Sequence, residues 1–462
     1  MKSAGPTVFK KRRTAADPTK AAARQKQTSD LTEGGGDMVT TAREAVVKIY
    51  FTALMFLMYF FLNETAYIGG RGITYRHLFA LAIIFSAFIY FLVKPDVSRA
   101  ATSLKSALVF AVPLLVVVVA SSLVWIIDKS DISTIMRGLS GCILYTNWLS
   151  CALAAGAILL VFGKDGIWYN LAAILASNLF VILNTIVSDG VGKFFKEFFE
   201  LIVSFAGTTG ETIVKAEIHE LAFCLGAYII YMLYRPVKKP WFITLFALSC
   251  FCFLAALKRI AVFAMVIVAV IRIIIWLFSK ISQRAEKRCI NMIMIVFAVL
   301  LVAYIWVIKA GVFTLMEKGG IDTNGRAYIY SHVNNYYSFS PLFVGNGIGF
   351  LTYQLNEVVS LGVSAVHNDF LQFFIDLGFF GYILWLLSIT VLRTGYFGRG
   401  GDNDTAAVTA LLTVYLIIVS STDNTINYPL LTTVMGVIIM GNGYERRVTA
   451  QEQRFESRPL FA

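Results

Sequence analysis

The chain has 462 residues, 58% of them hydrophobic and only 15% charged, with a mean hydropathy of +0.71. Soluble domains carry roughly 25% charged residues, which excludes an ordinary soluble enzyme; the apolar runs are continuous rather than alternating, which favours membrane helices over a membrane barrel. The formal net charge of +12 is largely topological, so it does not imply a nucleic-acid partner.

Residues 1–44 are polar and basic, with Lys10 to Arg13 as a KKRR run and glycines at Gly34 to Gly36. They predict a disordered cytoplasmic tail, too long for the leading part of a signal peptide. About twelve apolar spans follow. They begin near Val46, His77, Ser106, Gly138, Ile167, Glu220, Trp241, Ile260, Ile290, Leu371, Thr405 and Asn427. With the N-terminus inside, the inward loops are KPDVSRAATSLK, RPVKK and KISQRAEKR, and the tail after the last span carries ERR. This is the positive-inside pattern, and it puts both termini in the cytoplasm. The predicted layout is the tail at 1–44, nine spans within 45–309, a large extracytoplasmic loop at 310–370, three spans within 371–441, and a cytoplasmic tail at 442–462. The six cysteines lie in or beside apolar runs. None forms a CxxC or a Cys/His cluster, so they read as small apolar residues rather than disulfides or metal ligands.

An amphipathic external segment is expected near residues 190–217. Phe194, Phe195, Phe198, Phe199, Ile202 and Phe205 share one helical face there, opposite Lys193, Lys196, Glu197, Glu200 and Ser204. Two placements fit this pattern: lying in the membrane interface, or packing over other loops.

The large loop concentrates the polar chemistry, as external loops often do. Asp322 or Thr323 can cap a helix starting near Asn324, which puts Arg326 in its first turn. Free N–H groups and a guanidinium there suit a phosphate. A pairing of Arg326 with Asp322 is the competing reading. Tyr328, Tyr330, Tyr336 and Tyr337, with Asn334 and Asn335, would suit a sugar, although tyrosine is also an interfacial anchor. GNGIG, Gly345 to Gly349, lacks the strand-and-helix context of a nucleotide site and implies a tight turn or close backbone approach. In VHNDFLQ, Ser364 is a plausible N-cap that places His367 at the third helical position. Asn368, Gln372 and Asp376 follow at steps of four and form a polar stripe entering the tenth span. Such a stripe implies a water-filled cavity opening outward, with His367 at its mouth.

The ordered motifs NGRAYIY, SPLFVGNGIGFL and VHNDFLQFFIDLGFFGYI resemble the O-antigen ligase and polymerase superfamily (WaaL/Wzy-type membrane glycosyltransferases), densely over Asn324 to Ile383. That family also has an arginine at the outer start of an earlier span, usually after a serine. Here Arg259 matches it, with Lys258 in the serine position. The resemblance implies an all-α, GT-C-like polytopic fold and inverting, metal-independent glycosyl transfer without a cofactor. It implies a glycan on undecaprenyl pyrophosphate as donor. The acceptor would be a second lipid-linked repeat unit (polymerase) or a surface lipid or polymer (ligase), in O-antigen, capsule or exopolysaccharide assembly. His367, Arg326 and Arg259 would be catalytic. Asn368, Asp369, Gln372, Asp376 and the four tyrosines would bind substrate. The setting would be a bacterial cytoplasmic membrane, with the active site on its extracytoplasmic face. The basic tail leaves room for a partner such as a chain-length regulator. A lipid-linked glycan flippase is the competing class, but transporters place ionisable groups at mid-membrane and carry internal repeats, neither of which is evident in the sequence.

Overall fold

The computed structural model describes residues 42–60, 75–203, 219–256, 258–323, 325–355, 366–399, 402–425 and 428–457. The chain divides into two units, Met1–Tyr50 and Phe51–Ala462. In the first, residues 42–50 are helical.

In the second unit, residues 51–60 form α1. The helices α2 (Tyr75–Val93), α3 (Val97–Phe110), α4 (Val112–Ile127), α5 (Ile132–Phe162), α6 (Gly166–Asp189) and α7 (Val191–Val203) follow. Then come α8 (His219–Tyr234), α9 (Pro240–Ala255), α10 (Arg259–Ile281) and α11 (Gln283–Lys309). The large loop carries the short helices α12 (Val312–Lys318), α13 (Arg326–Val333) and α14 (Phe350–Tyr353). The chain continues through α15 (Asp369–Leu387), α16 (Arg393–Phe397), α17 (Asn403–Ser420), α18 (Pro429–Gly441) and α19 (Tyr444–Glu456). All regular elements among the described residues are helical.

Among the described residues, five helical stretches are long and apolar enough to cross a membrane: Trp148–Asp189, Arg259–Ile281, Gln283–Lys309, Asp369–Phe397 and Asn403–Ser420. The pair Val97–Phe110 and Val112–Ile127, bent by 47°, makes a sixth if taken as one span. Pro113 near the start of α4 accounts for this break, because proline donates no backbone N–H and obstructs the preceding turn. Helices also stand at the remaining expected span positions, but α2, α8, α9 and α18 are shorter apolar helices. In both Arg259–Ile281 and Gln283–Lys309 only 28% of the apolar window is buried. Their outward faces carry Phe263, Val266, Val270, Met292, Val299 and Leu300. A water-soluble protein does not expose an apolar surface of this extent, whereas hydrocarbon accepts it.

Polar residues inside the bundle act as contacts between helices. Asn170 accepts from Tyr228 (2.7 Å) and exchanges hydrogen bonds with Tyr59 (2.8 and 3.0 Å), joining α1, α6 and α8. Cys151, Cys224, Cys250, Cys252 and Cys289 are free thiols. α7 is amphipathic as expected, and its buried side packs against α9. Phe194 and Phe198 are buried, with Phe198 5.6 Å from Phe251 of α9, while Phe195 and Phe199 are exposed. Its charged face is laced by Lys193 with Asp189 and Glu197, and Lys196 with Glu200. Phe205 lies outside the described residues.

The core that positions the site surrounds α15. Phe373 stacks near Trp385 (4.2 Å), and Phe374 meets Tyr337, Tyr382 and Phe343 at 5.4–5.8 Å. Loop and helix therefore share one aromatic core. α15 is broken at Gly378, whose φ is 70°. The break exposes carbonyls that the helix would otherwise use. The glycine segment of the loop satisfies them: Asn346 N donates to Ile375 O (3.1 Å) and Gly347 N to Asp376 O (2.8 Å). Phe379 N in turn donates to Phe343 O (2.8 Å). A Cβ on Gly345 would stand 2.6 Å from the Leu377 carbonyl carbon, and Gly345 has a φ of 95°. The close backbone approach expected of GNGIG is thus made against a broken membrane helix.

Candidate active site

His367 lies immediately before α15, not within it. The N-cap is Asn368, whose Oδ1 accepts from Leu371 N at 3.1 Å. This corrects the expectation of a helix that already contains His367 at its third position; Ser364 lies outside the described residues. The physical reason is local. An asparagine in extended backbone (φ −164°, ψ 97°) caps the helix itself and leaves the preceding residue free to turn away. His367 takes a φ of 53°, in the left-handed region. For a non-glycine residue that costs about 1–3 kcal/mol and persists only where neighbours fix the chain. Val366 and Asn368 on either side are both buried.

Asn368 does more than cap. Its Nδ2 donates to Tyr304 OH (3.2 Å) on α11 and to Tyr330 OH (3.1 Å) on α13. Tyr304 OH donates to Ser421 O (3.0 Å) at the end of α17. One amide and one phenol therefore tie together four segments that converge on His367. Burial raises the Tyr330 phenol well away from ionisation, with hydrogen bonds from Asn368 and the charge of Arg326 opposing. It acts as a neutral hydrogen-bonding group.

Arg326 opens α13, behind Gly325 at a φ of 75°. The helix starts at Arg326 rather than near Asn324. The N-cap is Gly325 rather than Asp322 or Thr323, although Thr323 Oγ1, just before it, accepts from Ala327 N at 3.1 Å. The guanidinium crosses to the loop between α17 and α18, donating to Thr422 O (2.9 Å), and to Thr323 O (3.4 Å). Its Nε is buried with no acceptor. Both acceptors are neutral carbonyls and do not cancel the arginine's charge.

The loop after α17 supplies the other neighbours of His367. Asn424 Nδ2 is 3.4 Å from His367 Nδ1. Asp423 pairs with Lys258 (3.6 Å) and accepts from Tyr428 OH (2.9 Å). Thr425 Oγ1 donates to Asp369 Oδ2 (3.0 Å), anchoring the loop to the first turn of α15. His367 keeps an exposed face, yet partial burial of the ring lowers its pKa below the ordinary 6.5. Asp423 opposes that shift, and Arg326 and Lys258 reinforce it. The imidazole is therefore held neutral beside two cations.

The remaining expected residues divide. Arg259 is the first residue of α10 and is exposed, whereas Lys258 before it joins the His367 cluster. Gln372 and Asp376 do not line an open cavity. Both are buried, Gln372 donating to Thr352 Oγ1 (3.3 Å) and Asp376 accepting from Gly349 N and Leu351 N (3.3 Å each). They dock the loop onto α15, because the loop brings amides to a carboxyl that lipid would leave unsatisfied. Asp369 is buried as well. Tyr328 is exposed beside His332 (4.3 Å), and Tyr336 is half-buried. Tyr337 is buried beneath Lys309, whose ammonium is 4.5 Å from the ring centre. The residues not anticipated are Lys258, Tyr304, Asp423 and Asn424. The last two sit in SSTDNTINYP, a dense polar run between apolar helices, which was the available signal.

A polytopic helical protein thus gathers a histidine, two cations and a carboxylate around one end of α15. Residues 244–386, running from within α9 to the end of α15, match the Wzy_C family model, described as O-Antigen ligase. The match supports a relation of this segment to the O-antigen ligase/polymerase superfamily and a ligase- or polymerase-type role in surface polysaccharide. Among curated proteins none matches the sequence.

Proposed function

We propose that the protein is a GT-C-like, multi-pass glycosyltransferase of a bacterial cytoplasmic membrane, with about twelve spans. It polymerises oligosaccharide repeat units carried on undecaprenyl pyrophosphate. The site faces away from the cytoplasm and both termini face inward. The observation that carries this reading is the placement of His367, turned out of the helix between Asn424 and the charges of Arg326, Lys258 and Asp423, inside the family-matched segment.

The chemistry follows from those groups. A half-turn of the Asn424 amide puts its otherwise unpartnered Oδ1 on a proton at His367 Nδ1. Nε2 is then the basic nitrogen. It takes the proton from the acceptor hydroxyl as that oxygen attacks the anomeric carbon. The bond to the lipid pyrophosphate breaks on the opposite face, with inversion, and the pyrophosphate leaves with the electron pair. Arg326 and the basic pair Lys258–Arg259 hold its charge, at about 1.5–3 kcal/mol for each charge-assisted hydrogen bond. Asp423 favours the imidazolium that forms. Asn368, Asp369, Gln372 and Asp376 position these groups from within the fold, while Tyr328 and Tyr336 border the sugar path and Tyr337 supports it from the core.

The test is transfer in vitro from the cognate lipid-linked repeat unit, read as a ladder of products. A ladder is expected; its absence with active, folded protein and correct donor refutes the polymerase. The description of the family model favours a second reading, a ligase that passes the glycan to a surface acceptor. In cells, deletion then separates the two. Single attached units remain without a polymerase, whereas lipid-linked polymer accumulates without a ligase.

A further inference from the structure

The bend between α3 and α4 opens a groove of about 870 Å³ that His367 does not line. Its walls are Leu104 and Leu108 of α3, Leu115 and Val118 of α4, Leu149 of α5, and Phe455 of α19. Leu104, Leu108 and Leu115 are each more than half exposed, so the groove opens sideways, where the lipid of a bilayer would stand. The size lies within the range of about 300–1,000 Å³ that holds small-molecule ligands.

One end of the groove is different. Its polar lining residues are Lys105, Gln451 and Arg454, and both charged ones are cationic. They stand at the α19 end. Tyr444, the first residue of α19, meets Ser103 of α3 at 2.7 Å, and Arg99 pairs with Glu445. The opposite end of the bent pair reaches the loop that carries GNGIG, where Ser121 Oγ accepts from Ile348 N at 3.1 Å. α19 is polar along much of its length and follows the last apolar helix directly, which sets Lys105 and Arg454 at headgroup level. Hydrocarbon-lined walls ending in two cations and an amide match a molecule with apolar chains and one anionic head.

We propose that this groove is a binding site for an anionic phospholipid. Its phosphate lies between Lys105, Gln451 and Arg454, and an acyl chain runs along Leu104, Leu108 and Leu115 to the bend. This site is independent of glycosyl transfer and stands whether or not that activity is correct.

Native mass spectrometry of the full-length protein, released from membranes holding equal phosphatidylglycerol and phosphatidylethanolamine, tests it. Retained phosphatidylglycerol should exceed phosphatidylethanolamine about thirtyfold, the factor expected from two basic side chains each facing an anionic headgroup. Lys105→Ala with Arg454→Ala should bring the two lipids level. Lys105→Arg should keep the preference. Leu108→Trp, which fills the groove without touching its charge, should reduce retention of both lipids. Equal retention of the two lipids by the unaltered protein overturns the proposal. An undiminished preference in the double alanine variant does the same, since it places the anionic lipid elsewhere.

Discussion

Asp376→Ala isolates what holds the large loop to the membrane helix. In the intact protein the two carboxyl oxygens accept from Gly349 N and Leu351 N, each at 3.3 Å, in a fully buried position. Removing the carboxyl leaves two buried N–H groups without acceptors. Each such group costs about 1–3 kcal/mol. The bonds are long, so the lower part of the summed range applies, about 2–4 kcal/mol. Opening of this segment should therefore become about 30- to 1,000-fold more frequent. The contacts of Asn346 and Gly347 with the broken turn of α15 remain, so detachment should be local. Hydrogen exchange in lipid nanodiscs reads this directly. Peptides covering residues 345–355 should exchange faster by that factor, and peptides from α17 should not change. Unaltered exchange at residues 345–355 would refute the docking role of Asp376. Faster exchange everywhere would show a global rather than a local loss.

His367→Ala should keep the fold and lower transfer from a lipid-pyrophosphate donor by about 10²–10⁴-fold, the usual contribution of a positioned base; near-normal turnover removes the assignment. Arg326→Lys keeps the charge but loses the planar fork, and should retain more activity than Arg326→Ala, with both measured as kcat/KM for the donor. The acid limb of kcat/KM should fall below pH 6.5, because partial burial of His367 favours its neutral form. Asp423→Asn should move that limb to lower pH and Lys258→Met to higher pH, since the first residue raises and the second lowers the histidine's pKa. The stability effect has a definite sign. The unfolded histidine protonates first as pH falls past 6.5, so stability is lost from there down to the folded pKa and is constant below it. A histidine titration followed by NMR would contradict this by returning a folded pKa above 6.5.

Much of the helical plan is legible in the sequence because a continuous apolar run has one outlet in a bilayer, a helix that satisfies its own backbone. The order of NGRAYIY, GNGIG and VHNDFLQ likewise marks the loop and names His367 and Arg326 without coordinates. The geometry among them depends on contacts the linear order conceals. Whether Ser364 or Asn368 caps α15 is a competition that tertiary anchoring decides, and Asn368 has Tyr304 and Tyr330 to hold it. The polar stripe looked like a water-facing wall because periodicity reveals a shared face but not what covers it. The covering is the loop itself, brought back onto Asp376 by a helix break at Gly378. Asn424 meets His367 across 57 positions of sequence, at the end of two helices whose register only packing fixes. Composition and periodicity thus determined that this chain forms membrane helices and that its polar residues collect in one loop and the adjoining helix end. Only the tertiary structure decided which charges face the histidine, because electrostatic neighbours are set by distance in space.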